Sequence, residues 1–166
     1  MDLLLRGGEI KNCHNINTTV ILKEGENYTV GGIVGQAGGN VSNCSNSGTI
    51  QGKGVSSSSN TQVGGIVGLL KGNLSNCSNS GTVTGAGARV GGIIGTASEE
   101  ITIKNCNNTG SVTGGTYVGG IAGYVGNGGN VSFCSNKGKI EGLSVINRRR
   151  ICQYTLWRNC WNNIIK

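Results

Sequence analysis

The chain has 166 residues with 32 glycines, no proline and no strict Gly-x-y triplet, which excludes a collagen helix and leaves room for one ordinary domain. Its net charge of +7 is unevenly placed: residues 1–143 hold nine Lys or Arg against seven Asp or Glu, and Arg148, Arg149, Arg150, Arg158 and Lys166 supply the rest. A near-neutral body lacks the basic stripe that tracks phosphates, which argues against specific nucleic-acid binding, and no apolar run approaches the roughly 18 residues of a membrane span.

In chain order, Met1-Asp2-Leu3-Leu4-Leu5-Arg6 is too short and too acidic at its second residue for a secretory leader. Residues 7–29 form a degenerate first unit. Gly8-Glu9-Ile10-Lys11-Asn12-Cys13-His14-Asn15 matches Gly39-Asn40-Val41-Ser42-Asn43-Cys44-Ser45-Asn46, without the strand that should precede it. The expectation is a fragment of a longer repeat protein, with leader and first cap upstream and further repeats stacking on the open ends.

Units 30–62, 63–89, 90–117 and 118–142 each open with Val-Gly-Gly-Ile-(Val/Ile/Ala)-Gly and then carry Cys-x-Asn-x-Gly, at 44–48, 77–81, 106–110 and 134–138. Successive Gly-Gly pairs are 33, 27 and 28 residues apart, the period of a solenoid. Richness in Gly, Ser, Asn and Thr can mean disorder. Here Val41, Leu74, Ile103 and Val131 keep one phase and Ile50, Val83, Val112 and Ile140 another, which a disordered tract has no reason to do.

Each unit reads as three short β segments bounded by Gly or Asn, too short for helices and alternating in polarity. Gly and Asn are expected to supply positive-φ corners. One coil cannot bury its inner face alone, so coils must stack. The spacing predicts an all-β, parallel, three-sided β-helix of four to five coils over residues 7–142, right-handed by the general rule for parallel crossovers. The long link at 53–62 and the insertions at 98–100 and 126–129 are the variable edges, where recognition is usually found.

Five cysteines, Cys13, Cys44, Cys77, Cys106 and Cys134, take one repeat position and are expected to form a column. Equivalent side chains point the same way, whereas a disulfide needs converging Cβ vectors, so a ladder of buried thiols is the expectation. Close Cys-x₂₋₄-Cys pairs are absent, which argues against structural zinc. Asn43, Asn76 and Asn105, each preceding a cysteine, are expected to bond coil to coil at a corner, and Phe133 should break that ladder in the last unit.

Residues 143–166 abandon the repeat. They hold both tryptophans, four of the six arginines and the two remaining cysteines, Cys152 and Cys160. A cap over the open coil edge, a basic interaction or membrane-surface segment, and non-native sequence all fit that change.

The catalytic inventory is thin. His14 is the only histidine and Asp2 the only aspartate, so zinc chemistry of the His-Glu-x-x-His kind is impossible within the chain. His14 stands where the repeat has Ser45, a solvated turn position. The glutamates are Glu9, Glu24, Glu26, Glu99, Glu100 and Glu141. The pairs Glu24/Glu26 and Glu99/Glu100 lie in separate insertions, and glycosidase carboxylates must be held roughly 5–9.5 Å from each other. Solvated loop charges are the expectation. The glycine runs lack phosphate-loop spacing, and the calcium-binding repeat would need an Asp in every turn. A flat Thr-x-Thr array exists only at 82–84 and, with Ser, at 111–113. Asn-x-Ser/Thr triplets at Asn27, Asn40, Asn73 and Asn130 follow from Asn-rich corners.

The unit Gly-Gly-Ile-Val-Gly … Gly-x-Val-x-Asn-Cys-x-Asn-x-Gly-x-Val-x-Gly resembles the GLUG repeat, over about residues 7–142. The resemblance implies a stalk or binding scaffold in large, mainly bacterial, surface or secreted proteins such as adhesins and immunoglobulin A-cleaving peptidases. Peptidase chemistry in those proteins lies in a separate zinc domain, so no catalytic residue carries over. Function is therefore expected to be structural or adhesive, without cofactor or metal, toward a surface ligand such as a glycan or a host or matrix protein. A carbohydrate-binding or carbohydrate-active β-helix is the alternative.

Overall fold

The computed structural model describes residues 8–22, 28–52, 60–86 and 89–142. The link 53–59 and the C-terminal segment 143–166, with its cap, surface-segment and non-native readings, lie outside the described residues. The described chain is all β: short strands wind through about four turns and pair only in parallel, coil upon coil.

Five sheets run along the stack. The first joins Glu9–Lys11, Asn40–Ser42, Leu74–Ser75, Thr102–Lys104 and Asn130–Ser132. The second joins the two-residue strands His14–Asn15, Ser45–Asn46, Ser78–Asn79, Asn107–Asn108 and Ser135–Asn136. Val20–Leu22, Ile50–Gly52, Val83–Gly85, Val112–Gly114 and Ile140–Gly142 make the third. The Val-Gly-Gly-Ile run supplies the other two. Thr29–Gly31, Gln62–Gly64, Arg89–Gly91 and Tyr117–Gly119 form the fourth, and Val34–Ala37, Val67–Leu70, Ile94–Ala97 and Ala122–Val125 the fifth. Five strands thus stand where the spacing predicts three segments. The Gly-Gly pair bends the first segment in two, and the residues after each cysteine pair as a sheet of their own. The register keeps repeat phase throughout, with Leu74 between Val41 and Ile103, and Val83 between Ile50 and Val112. Residues 8–22 pair with the second unit in the same register, so the degenerate first unit is a true partial coil.

The glycines answer to space more than to φ. A Cβ on Gly64 would overlap the Val67 carbonyl oxygen, and one on Gly65 would overlap the Gly92 carbonyl and lie 2.6 Å from Asn79 Cγ. Among the described glycines only Gly128 has a positive φ, at 70°. The expectation that Gly and Asn share the positive-φ corners is therefore corrected: asparagine alone makes the repeated one. Asn12, Asn43, Asn76 and Asn105 have φ of 57°, 53°, 54° and 54°, and Phe133 is forced to 52° in the last coil.

A second asparagine column, two residues beyond each cysteine, decides the interior. Asn46, Asn79 and Asn108 are buried, and each amide donates across to the next coil. Asn15 Nδ2 bonds Asn46 Oδ1 at 2.7 Å, Asn46 bonds Asn79 at 2.7 Å, Asn79 bonds Asn108 at 2.8 Å and Asn108 bonds Asn136 at 2.7 Å. The same amides close on their own turn: Asn79 Nδ2 donates to Gly81 O at 2.9 Å and Gly81 N–H donates to Asn79 Oδ1 at 3.3 Å. Asn46 does likewise with Gly48, at 2.9 and 3.1 Å. Two donors and two acceptors are all used, which is the full capacity of the group. These amides abut the Gly-Gly bend on the opposite side of the coil and form a chord across it. The core is accordingly two clusters. One holds Val41, Ile66, Leu70, Leu74, Ile93, Ile94 and the cysteines, and the other Tyr28, Val30, Ile50, Val63, Val83, Val90 and Val112.

Two asparagines three residues apart should therefore behave oppositely. Asn79→Ala strands four buried polar groups, each costing about 1–3 kcal/mol, and should lower the urea midpoint severely or prevent folding. Asn76→Gly keeps the positive φ and loses only solvated bonds, so its stability should move by less than about 1 kcal/mol. Phe133→Asn relieves about 1 kcal/mol of left-handed strain and should raise the thermal midpoint by roughly 2–4 °C, read by circular dichroism.

Candidate functional site

The cysteine column lies where the first sheet turns into the second, under the apolar cluster. Cys44, Cys77 and Cys106 are 1 % exposed, Cys13 and Cys134 half-buried, and all five are free thiols. Each Sγ reaches back to the carbonyl oxygen two residues earlier, from 3.1 Å at Cys44 to 3.5 Å at Cys13. Parallel stacking makes the thiols equivalent, and that equivalence is what keeps them unpaired. Burial pushes the Cys44 thiol up to about 11. Hydrogen bonds with the Cys134 and Cys77 thiols, and then burial, push Cys106 far up. Cys77 and Cys134 are both drawn down by the Cys106 thiol, Cys134 to about 7. Of the two, the half-buried Cys134 is nearer water than the buried Cys77.

The exposed corner ladder runs along the same edge. Asn43 Nδ2 donates to Asn12 Oδ1 at 3.3 Å, Asn76 to Asn43 at 3.2 Å and Asn105 to Asn76 at 3.1 Å. Phe133 follows, 84 % exposed, with no amide to continue the series. Asn40 and Asn73 have a third use: their Oδ1 atoms accept the backbone N–H of Asn73 at 2.9 Å and of Thr102 at 2.7 Å in the next coil.

The acids and the histidine lie apart. His14 Nδ1 is 2.7 Å from Ser45 Oγ on an exposed face, its register neighbour. Glu9 pairs with Lys11 at 3.2 Å and Glu141 pairs with Lys139, both on the surface. Glu99 and Glu100 are exposed in the turn between the fifth and first sheets, with Glu100 at φ 57°. Asp2, Glu24, Glu26 and Asn27 fall outside the described residues. Among the described residues no three His, Cys, Asp or Glu side chains converge to hold a metal ion, and no helix is long and apolar enough to cross a membrane.

What the stack leaves over is its outer surface. The first sheet presents an open concavity of about 380 Å³ lined by Glu9, Asn40, Ser42, Asn73, Ser75, Thr102 and Lys104. Near the other end of the stack, Arg89, Tyr117 and Tyr124 gather. The Arg89 Cζ lies 4.8 Å from the Tyr124 ring centroid, and the two tyrosine rings meet edge-on at 6.3 Å and 74°. Sequence reasoning passes over these three. The available signal is that they break their columns, since Tyr117 follows Arg89 and Gln62, and Tyr124 follows Thr96 and Leu69.

The family described as the GLUG motif matches residues 26–51, 59–84, 86–113 and 114–141, more than half of the chain. No curated protein and no solved structure shows a significant match. The partial coil at residues 8–22 lies ahead of the first family match and still stacks in register.

Thiol chemistry gives a direct check on the ladder. Of the five column thiols, iodoacetamide at pH 8 should label Cys134 first, while Cys44 and Cys106 stay protected until denaturant is added, as read by peptide mass mapping. Uniform labelling of the folded chain would contradict the buried, graded column.

Proposed function

The chain belongs to the GLUG-motif family, and on that premise we propose that it is a non-catalytic structural and adhesive repeat module of a larger cell-surface or secreted protein. One observation carries this reading: the distinctive repeated residues are spent on joining one coil to the next. The inner asparagines saturate one another and their own turns, the corner asparagines bond along the edge, and the glycines give the room for backbone contact. Residues so engaged are not free to engage a substrate. A stack of this kind extends by about 4.8 Å per coil and holds its side surface at fixed spacing, which suits a spacer that also presents a ligand face.

The exposed columns support an adhesive role over a purely mechanical one. They differ from coil to coil while the interior repeats: the outer column of the third sheet reads Ile21, Gln51, Thr84, Thr113 and Glu141 by register. A surface that only needed to be soluble would have no reason to concentrate two tyrosines and an arginine at one place.

Beads carrying the full chain should adhere to glycan- or matrix-coated surfaces, and soluble chain should compete that adhesion away. The same protein should release no reducing ends from a polysaccharide panel. Saturable turnover that disappears in Glu99→Gln or Glu100→Gln would overturn the non-catalytic reading, and beads that bind nothing would overturn the adhesive one.

A further inference from the structure

Two columns of unlike residues come together where the fourth and fifth sheets pack. Position by position the fourth sheet carries Thr29, Gln62, Arg89 and Tyr117, and the fifth carries Gln36, Leu69, Thr96 and Tyr124. The backbones beneath them are in close contact, because a Cβ on Gly123 would lie 2.7 Å from Val90 N. That approach brings the Arg89 guanidinium over the ring of Tyr124.

Arg89 Nε is buried without a hydrogen-bond partner, and no acid pairs with Arg89 among the described residues. Thr96 is 6 % exposed, stands beside Tyr124 in register, and its Oγ1 is likewise unpartnered. Tyr124, by contrast, is 39 % exposed, so its ring is not there to fill a core. Stacking on Tyr124 fixes the plane of the guanidinium, and a planar guanidinium that no acid neutralises matches a carboxylate in two-point contact.

We propose that Arg89, Tyr117 and Tyr124 form a binding site for a carboxylate-bearing saccharide, a uronic-acid type of sugar. Arg89 takes the carboxylate. The Tyr117 ring, set edge-on to Tyr124, offers an amphipathic surface for the C–H face of the sugar ring, and the Gln62 side-chain amide offers a partner for its hydroxyls. An acidic peptide with several charges fits less well, since the cluster presents one cation, Arg89. The proposal rests on the adhesive reading above and narrows its ligand.

The full chain, titrated with tetragalacturonate at low ionic strength by calorimetry, should bind saturably and at least tenfold more tightly than a neutral tetrasaccharide such as mannotetraose. Arg89→Gln should weaken tetragalacturonate binding at least tenfold, and Tyr124→Ala likewise, with Tyr124→Phe retaining it. Thermal unfolding of each variant shows whether the fold survives, and Tyr124→Phe with Gln62→Ala keeps the test open if Arg89→Gln does not fold. Absence of saturable binding, unchanged affinity in folded Arg89→Gln, or equal binding of hexaglutamate would overturn the proposal. If beads carrying the chain adhere but tetragalacturonate neither binds nor competes, this site assignment alone fails. If nothing adheres, the adhesive reading fails with it.

Discussion

The structure depends on one interaction, the buried ladder of asparagine amides from Asn15 through Asn46, Asn79 and Asn108 to Asn136. An amide is expensive to bury unless all four of its hydrogen-bonding sites are met. Here the partners are supplied by the neighbouring coils and by the glycine two residues on, so the group is content only when the coils stack in one register. Shift the register and every rung is orphaned together. The ladder is thus a specificity device as much as a stabilising one.

The other features derive from that chord. Asparagine reaching across the coil needs a partner wall with no side chains, which is why Gly32, Gly65, Gly92 and Gly120 face it. The chord divides the interior, and so the apolar residues condense into two clusters, mostly of Val and Ile. The cysteines fill one of those clusters next to the turn. Their thiol protons go to nearby carbonyls, and burial holds Cys44 protonated well above neutrality. A molecule whose repeated residues are so committed can carry recognition only on residues that depart from the repeat. Arg89, Tyr117 and Tyr124 are such departures, and they are neighbours in space.

Much of this is legible in the residues themselves. The parallel all-β stack, the thiol column and the corner role of Asn43, Asn76 and Asn105 all come from period and from position within the unit. The inner asparagine column is not distinguished there, although Asn46, Asn79 and Asn108 recur as faithfully as the cysteines, because recurrence does not say which of two asparagines faces inward. Burial and φ in the folded chain separate Asn76, exposed and at φ 54°, from Asn79, at 1 % exposure. The glycines read as turn formers, and they turn out to be places of close backbone approach. A sequence shows that a side chain is missing and not whether φ or space is the reason.

Period and alternation are local properties of a chain, so they were enough to show that each repeat unit is built of short strands, that the units stack in parallel, and which positions share a column. How the columns face one another across the coil is a property of closure. Tertiary structure alone decided that the Gly-Gly run bends into two sheets, that the inner asparagines divide the core, and that Arg89 lies on Tyr124, a residue 35 positions away. Those contacts come from the path of the whole turn, which no short stretch of sequence encodes.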